Sequence, residues 1–583
     1  MSTLDWIIII VLNGSVILYA MLYSRDTKTS SDWFLAGRTL PWWIVGLSLY
    51  ATLIDSSDMI VDSGGAYQFG VRMFVFNWVG VIAGWLLMVY LIALPMYRLG
   101  MYTNAEYLEA RFGPVARVVS VLIQVQFRTM VLGIMIKSIF LTLSIVFGFS
   151  TFVAWTVVII IALTATIYTM AGGLKAVAIT DAMQSFIMLT ASIIIFCLVY
   201  NKVDGWSGIK EKLERNDAAI STQMLHIGSD RIENQSAAEF SEAKINRHQE
   251  LGENYNHEHK LLVKQTPGWI ICMNLLFAGM AYSVVNHTQS MRLLGAKSEW
   301  DLKMSIVLSS GILIVVTFLN LFLGVMGRAL FPDITMLNVP ESLQTVDAIF
   351  PVLVRDLTFS GLRGVIVAGI FAASFSTFDS IGSTLSALLT RDIYGRLIVT
   401  DADDSHYLLV GRWLTPVIIF GSFLYLPLLD QGMFQFYLSM VGVFVIPLLT
   451  VYLMGALTRV HRKAGAIGLV AGVIFGLWVL IAELLFISTG TKILPASMIN
   501  SLNTAPASML ITAGTMLLVS LLLGFSDKSD LFHKEKSAWL QSSREQITHT
   551  QIETSSLSLQ RLPLVAGIFV LMMGLILTFI IFW

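Results

Sequence analysis

SLYATLIDSSDMIVDSGG, residues 48–65, begins as a membrane helix and cannot finish as one. Ser48 to Ile54 is mostly apolar, but Asp55, Asp58 and Asp62 then follow within one short run, closed by the pair Gly64 and Gly65. A bilayer offers a carboxylate no water, and a charge at the centre of a spanning helix costs about 2.5–3.5 kcal/mol even on lenient insertion scales. An uninterrupted lipid-facing helix could not hold this stretch. Non-helical backbone at membrane depth is tolerated where it lines a cavity, so the run predicts a helix that breaks at a site. Asp62 and the glycine pair read as the helix end and an outer turn, whereas Asp55 and Asp58 lie deeper and read as functional.

A second stretch carries complementary chemistry. Residues 361–392, GLRGVIVAGIFAASFSTFDSIGSTLSALLTRD, are long enough to span a membrane, yet hydroxyls and a carboxylate cross the middle. Ala373, Ser376, Thr377 and Ser380 fall at i, i+3, i+4 and i+7, so they share one helix face, with Asp379 on its edge. A stripe of small residues lets helices approach closely. It can equally present oxygens to a hard cation, which would neutralise the acid. The stripe alone fits both readings, and Asp379 favours the cation.

The rest of the chain sets these two stretches in a membrane. Its 583 residues are 56% hydrophobic and 13% charged, with mean hydropathy +0.75; together these exclude a soluble globular protein and a disordered one. Apolar windows of about 20 residues recur near 5–23, 41–65, 70–98, 114–147, 151–170, 176–203, 267–290, 303–331, 361–392, 407–427, 432–455, 463–487, 505–524 and 563–582, which predicts fourteen spans. Basic residues in alternate short loops, among them Arg25, Lys28, Arg98, Arg111, Arg292, Arg391 and Arg459, place those loops in the cytoplasm and both termini outside. The first apolar run lacks a basic flank and a cleavage site, so it reads as a retained helix. Cys197 and Cys272 lie within apolar spans and read as packing residues. The net charge of −1 comes without a basic patch, so no nucleic-acid partner is expected.

Polar interruptions divide the chain. Residues 1–40 comprise an extra helix and a cytoplasmic linker; 41–203 hold five spans; 204–266 form an extracytoplasmic insert; 267–455 hold five more spans; and 456–583 hold the last three, with a cytoplasmic linker at 526–562. An odd number of spans per set makes the second set enter the membrane from the opposite side. That is the requirement for an inverted repeat, whose sites sit at mid-bilayer where the first helix of each repeat breaks.

Five motifs in this order resemble the signature segments of the sodium:solute symporter family. They are FLAGRTLPWW at 34–43, YTNAEYLEARFG at 102–113, AGGLKAVAITDAMQ at 171–184, RLLGAK at 292–297 and AASFSTFDS at 372–380. The resemblance implies an all-α integral membrane protein with the LeuT-type 5+5 inverted-repeat fold and about fourteen transmembrane helices, the count of the sugar-transporter branch. It implies a shared sodium site at Ala51, Ile54, Ala373, Ser376 and Thr377. Some members hold a second cation, for which the matching positions are Asp181, Ser376, Asp379 and Ser380, with Asp379 replacing the usual serine. Two carboxylates there would tighten sodium binding, share a proton, or pair with a basic side chain.

The substrate positions agree less well. Tyr282 matches the tyrosine that caps the sugar from the inside, and Asn286 an asparagine later in that helix. Asn77 stands where sugar transporters place an acid before Trp78; Asp58 stands where they carry a neutral or imidazole side chain; and the usual lysine of the seventh core helix has no counterpart. With Asp55 and Ser56, these residues define the expected pocket.

No G-x-x-x-x-G-K-[ST] loop, metal-ligand spacing or activated nucleophile suggests an enzyme or use of a nucleotide. An ion gradient must then supply the work: one sodium ion moving through 100 mV releases about 2.3 kcal/mol, enough for roughly 50-fold accumulation. The sequence therefore predicts a symporter of the cell (inner) membrane that uses one or two sodium ions to import a small polar solute, a sugar or polyol. A cationic or zwitterionic organic solute, such as an amine or amino acid, is the alternative, and a sensor or channel on the same fold stands third.

Overall fold

The computed structural model describes residues 2–23, 35–171, 174–216, 218–228, 268–431, 433–489, 493–494, 501–526 and 557–583. Most of the insert expected at 204–266 and of the linker expected at 526–562 lies outside the described residues. Everything described is helix and connection; the sole strand-like pairing there is a bridge between Leu40 and Ala296.

Among the described residues ten helices are long and apolar enough to cross a membrane, and two bent pairs raise that to twelve. Two shorter apolar helices, Thr3–Tyr19 and Thr151–Ile167, coincide with the remaining windows, so every expected span falls on a helix. The bent pairs are Trp42–Leu53 with Asp58–Met73, at 59°, and Trp269–Val285 with His287–Leu294, at 46°. Each falls on the first window of one of the two expected sets of five spans, where an inverted repeat would place its broken helix.

Both breaks have a local cause. At the first, Ile54 turns to an extended conformation after Leu53, and the charges that follow are unfit for lipid. At the second, Asn286 is extended and its side chain caps the next helix by accepting from the Thr288 N–H.

Three neighbours enclose the first break: Glu299–Leu330 packs along Trp42–Leu53, and Leu174–Lys202 lies against both Trp42–Leu53 and Leu362–Leu388. The span that contains the hydroxyl stripe, Leu362–Ile398, is 94% buried over its most apolar window. Its polar face therefore meets protein. The first helix, Thr3–Tyr23, steadies this span, because Asp5 Oδ1 accepts from the N–H groups of Gly361 and Gly364 at 2.8 and 3.0 Å. Lipid-facing side chains concentrate elsewhere, as Phe152, Trp413, Leu521 and Phe569 illustrate. Cys197 is among the exposed residues, on the outer side of its helix, so it does not pack inside as expected.

Candidate functional site

Asp55 and Asp58 cap the helix that restarts after the first break. Asp55 Oδ1 accepts from the Ser57 and Asp58 N–H groups at 2.6 and 3.2 Å and from the Ser57 hydroxyl. Asp58 Oδ2 returns the bond by accepting from the Asp55 N–H at 2.7 Å. This reciprocal pattern satisfies orphan donors as a capping box does, and it puts negative charge at a helix N-terminus, where the dipole favours it. Each acid spends one oxygen on the cap; no hydrogen bond among the described residues engages Asp55 Oδ2 or Asp58 Oδ1.

On the other side of the break, the helix Trp42–Leu53 ends in its last carbonyls and the negative end of its dipole, which favour a cation. The Ser376 hydroxyl oxygen lies 3.1 Å from the Ala51 carbonyl oxygen and 2.6 Å from Asp181 Oδ1. Next to it, Thr377 Oγ1 is buried without a hydrogen-bond partner. Ile54 and Ala373, three residues along each chain segment, are buried as well. The structure thus sets the end of the broken helix against the hydroxyl stripe, and the donor set is the carbonyl and hydroxyl oxygens that suit an alkali ion.

The residues aligned with a second cation site surround a guanidinium instead. Arg292 Nη2 lies 3.1 Å from Asp181 Oδ2 and donates to the Ser380 hydroxyl; Nε lies 2.9 Å from the Ser48 hydroxyl; and Nη1 donates to the Thr288 carbonyl at 2.9 Å. Asp181 also accepts from Ser48 at 2.6 Å. The charge count over loops assigned Arg292 to a cytoplasmic connection, but it is fully buried in the helix His287–Leu294. Burial without a counter-ion would be costly, and Asp181 supplies one. Asp379 is buried close by, with Oδ1 unpartnered.

Beyond the cap lies a cavity lined by Asp55, Asp58, Asp62, Asn77, Tyr282 and Tyr437, with apolar walls that include Phe76 and Phe434. Four of the six residues expected at the substrate are there. Ser56 is not: its hydroxyl accepts from Ser374 at 2.8 Å, facing the Leu362–Leu388 helix. Nor is Asn286, which caps the second break. Asp62, read from sequence as part of an outer turn, lines the cavity instead, with Asn77 Nδ2 at 3.5 Å from its Oδ2. Its glycine neighbours mark close packing, since a Cβ on Gly64 would sit 3.1 Å from the Val346 carbonyl.

Sequence reasoning missed Arg128. Its Nη1 donates to the Tyr282 hydroxyl at 3.1 Å, and its guanidinium carbon lies 5.5 Å from that ring. The signal was present: an arginine midway along the apolar run 114–147. A buried charge at that depth needs a functional or structural partner.

Residues 33–476 match the model of the sodium:solute symporter family. The chain belongs to that family. The symporter is 28% identical over 503 residues to the sodium/myo-inositol cotransporter 2 of Homo sapiens, an alignment covering 82% of this chain and 70% of the relative. It is 27% identical over 503 residues to the sodium/glucose cotransporter 1 of Mus musculus, covering 82% and 71%. Among solved structures, a substrate-bound, outward-open sodium-coupled sialic acid symporter superposes with TM-score 0.71 at 19% identity, covering 90% of this chain and 99% of that one. That likeness carries the fold, which is the LeuT type, and the relatives are transporters rather than enzymes.

Proposed function

We propose that this symporter imports a sugar or polyol together with sodium by alternating access. Ala51, Ile54, Ala373, Ser376 and Thr377 hold the ion, and Asp55, Asp58, Asn77 and Tyr282 face the solute, with Asp62 and Arg128 added to them. The observation that carries this reading is the Ser376 hydroxyl set against the Ala51 carbonyl across the break, beside the unpartnered hydroxyl of Thr377.

Bound there, sodium ties the broken helix to the helix Leu362–Leu388 and fixes the loop from which Asp55 and Asp58 project. The solute then meets ordered acceptors rather than a mobile loop, so less ordering entropy is lost on binding. Loss of the ion to the cytoplasm loosens that tie and releases the solute. The sets 41–203 and 267–455 act as the two repeats, both termini lie outside, and the location is the cell membrane. The myo-inositol and glucose relatives support a polyol or hexose.

A second reading rests on charge. Asp55, Asp58 and Asp62 meet around one cavity, which Arg128 reaches through the Tyr282 hydroxyl, a surplus of acid that suits an organic cation. Uptake into proteoliposomes of labelled hexoses, inositols, amines and amino acids, under an imposed inward sodium gradient, separates the two. Sodium-driven accumulation of a hexose or inositol is expected. Accumulation of amines alone would establish the second reading, and current through the protein without solute accumulation would identify a channel and overturn both.

A further inference from the structure

We infer that Tyr437 is a specificity residue of the solute cavity: its hydroxyl, paired with that of Tyr282, donates to solute hydroxyls whose own hydrogens go to the acids. The inference rests on the sugar or polyol reading above and names the side chains that would enforce it. Tyr437 lies on the helix Met433–Met440 and lines the same cavity as Asp55, Asp58 and Asp62. Its hydroxyl is buried and has no hydrogen-bond partner among the described residues. A hydroxyl shut away from water without a partner is costly, so the position calls for a ligand that completes it. The ring is held in place: its centroid lies 6.0 Å from that of Phe127, 6.2 Å from Phe76, 6.4 Å from Phe434 and 6.5 Å from Tyr282.

Tyr282 is oriented in a complementary way. Arg128 Nη1 donates to its hydroxyl at 3.1 Å. A guanidinium has donors only, so this bond occupies a lone pair of the tyrosine oxygen and leaves its hydrogen for another acceptor. Both tyrosines therefore offer hydrogens, while Asp55 Oδ2 and Asp58 Oδ1 are the acceptors that the helix cap leaves over. An alcohol oxygen both donates and accepts, so one solute hydroxyl can answer a carboxylate and a tyrosine together. An ammonium only donates. It would satisfy the acids and leave the tyrosine hydrogens facing another donor, so the cavity favours a polyol over an amine of like shape. The acids belong to the stretch 41–203 and the tyrosines to 267–455, and a bridging hydroxyl ties the two sets of spans together.

Tyr437→Phe keeps the ring and its aromatic packing and removes one oxygen. Binding of labelled D-glucose and myo-inositol to the purified full-length protein at saturating sodium, with their monodeoxy analogues as competitors, tests the inference. Tyr437→Phe should bind the parent solute about tenfold more weakly. It should bind one particular deoxy analogue as the wild type does, because that analogue lacks the hydroxyl that Tyr437 serves. Sodium affinity without solute should be unchanged, a readout that general loosening of the cavity would lower. Equal affinity of the two proteins for the parent, or the same loss for every analogue, would overturn the inference and leave the polyol reading standing. Binding of neither parent solute by the wild type would overturn both. Should Tyr437→Phe not fold, competition on the wild type decides: at least one deoxy analogue should bind about tenfold more weakly than its parent, and analogues that all bind like the parent would overturn the inference.

Discussion

Ser376 stands where three parts of the mechanism meet: its hydroxyl faces the Ala51 carbonyl, the Asp181 carboxylate and, by adjacency, Thr377. Deleting that oxygen removes a proposed ion ligand and strips a donor from a buried carboxylate. Hydrogen bonds to charged groups contribute about 1.5–3 kcal/mol, so Ser376→Ala should weaken sodium binding tenfold or more. Thr377 separates oxygen from shape: Thr377→Ser should bind sodium nearly as wild type and Thr377→Val far more weakly, both read by sodium titration. Equal weakening in the two would mean the methyl packing matters and the oxygen does not. Asp58 poses the same question for the cavity. Asparagine caps helices about as well as aspartate, so Asp58→Asn should leave the melting temperature within a few degrees while solute affinity falls at least tenfold. A lower melting temperature with unchanged affinity would reduce Asp58 to a cap.

At the scale of elements, closeness and charge pairing hold the spans in register. Gly80 and Gly279 face one another where Val75–Val81 crosses Gly268–Val285; a Cβ on Gly279 would lie 2.3 Å from the Phe76 carbonyl and 3.0 Å from Gly80 Cα. Backbone cannot step aside as a flexible side chain can. Gly279→Val should therefore cost about 1–3 kcal/mol by overpacking, seen as a lower melting temperature in detergent, whereas Gly311→Val, at a position with open space around it, should not. A different tie joins the short helix Asn104–Phe112 to the end of Leu362–Ile398. Glu109 pairs with Arg117, and with Arg396 at 2.9 Å, while Arg117 also holds Asp392. Burial disfavours the charged form of Glu109, but the two arginines outweigh it and hold its carboxyl below the ordinary glutamate range. A lowered folded value means the tie is complete above about pH 4.3, the unfolded value, and is lost as acid carries the pH down through the folded value. The stability gap between wild type and Glu109→Gln should accordingly be present at pH 6 and shrink toward pH 3 in thermal melts. Such elements also show where sequence suffices. Hydropathy located the spans, and the acids after Ile54 located the first break, because both are properties of one segment in lipid. Arg128 and Arg292 escaped because a single arginine in or beside an apolar window looks like a loop charge until its partner is known. Tyr282 and Asp181 lie more than a hundred residues from them. Asp62 was misplaced because adjacent glycines resemble a turn in sequence and serve close packing in space.

For the molecule as a whole, the proposed cycle makes the first broken helix answer to both ion and solute. The proposed ion position ends the first half of the helix at Ala51 and Ile54, and the acids lining the cavity begin its second half at Asp55 and Asp58. One chain segment would thus carry both proposed ligand sets, and its order is the quantity that each ligand would change. A ligand shifts such an equilibrium only by its differential affinity for the ordered and disordered forms. Linkage then requires the effect to be mutual: if saturating sodium tightens solute binding by some factor, saturating solute tightens sodium by the same factor. Couplings of this kind are commonly about 5–150-fold, and a value in that range is expected here. Paired titrations of purified protein check it, with solute affinity measured at low and high sodium and sodium affinity at low and high solute. Thr377→Val should reduce both factors together, since it weakens the ion that orders the loop. Asp58→Asn should lower solute affinity with little change in sodium affinity measured without solute. Unequal factors at equilibrium would mean that a further ligand is exchanged, and a factor of one would mean that the break does not couple the sites.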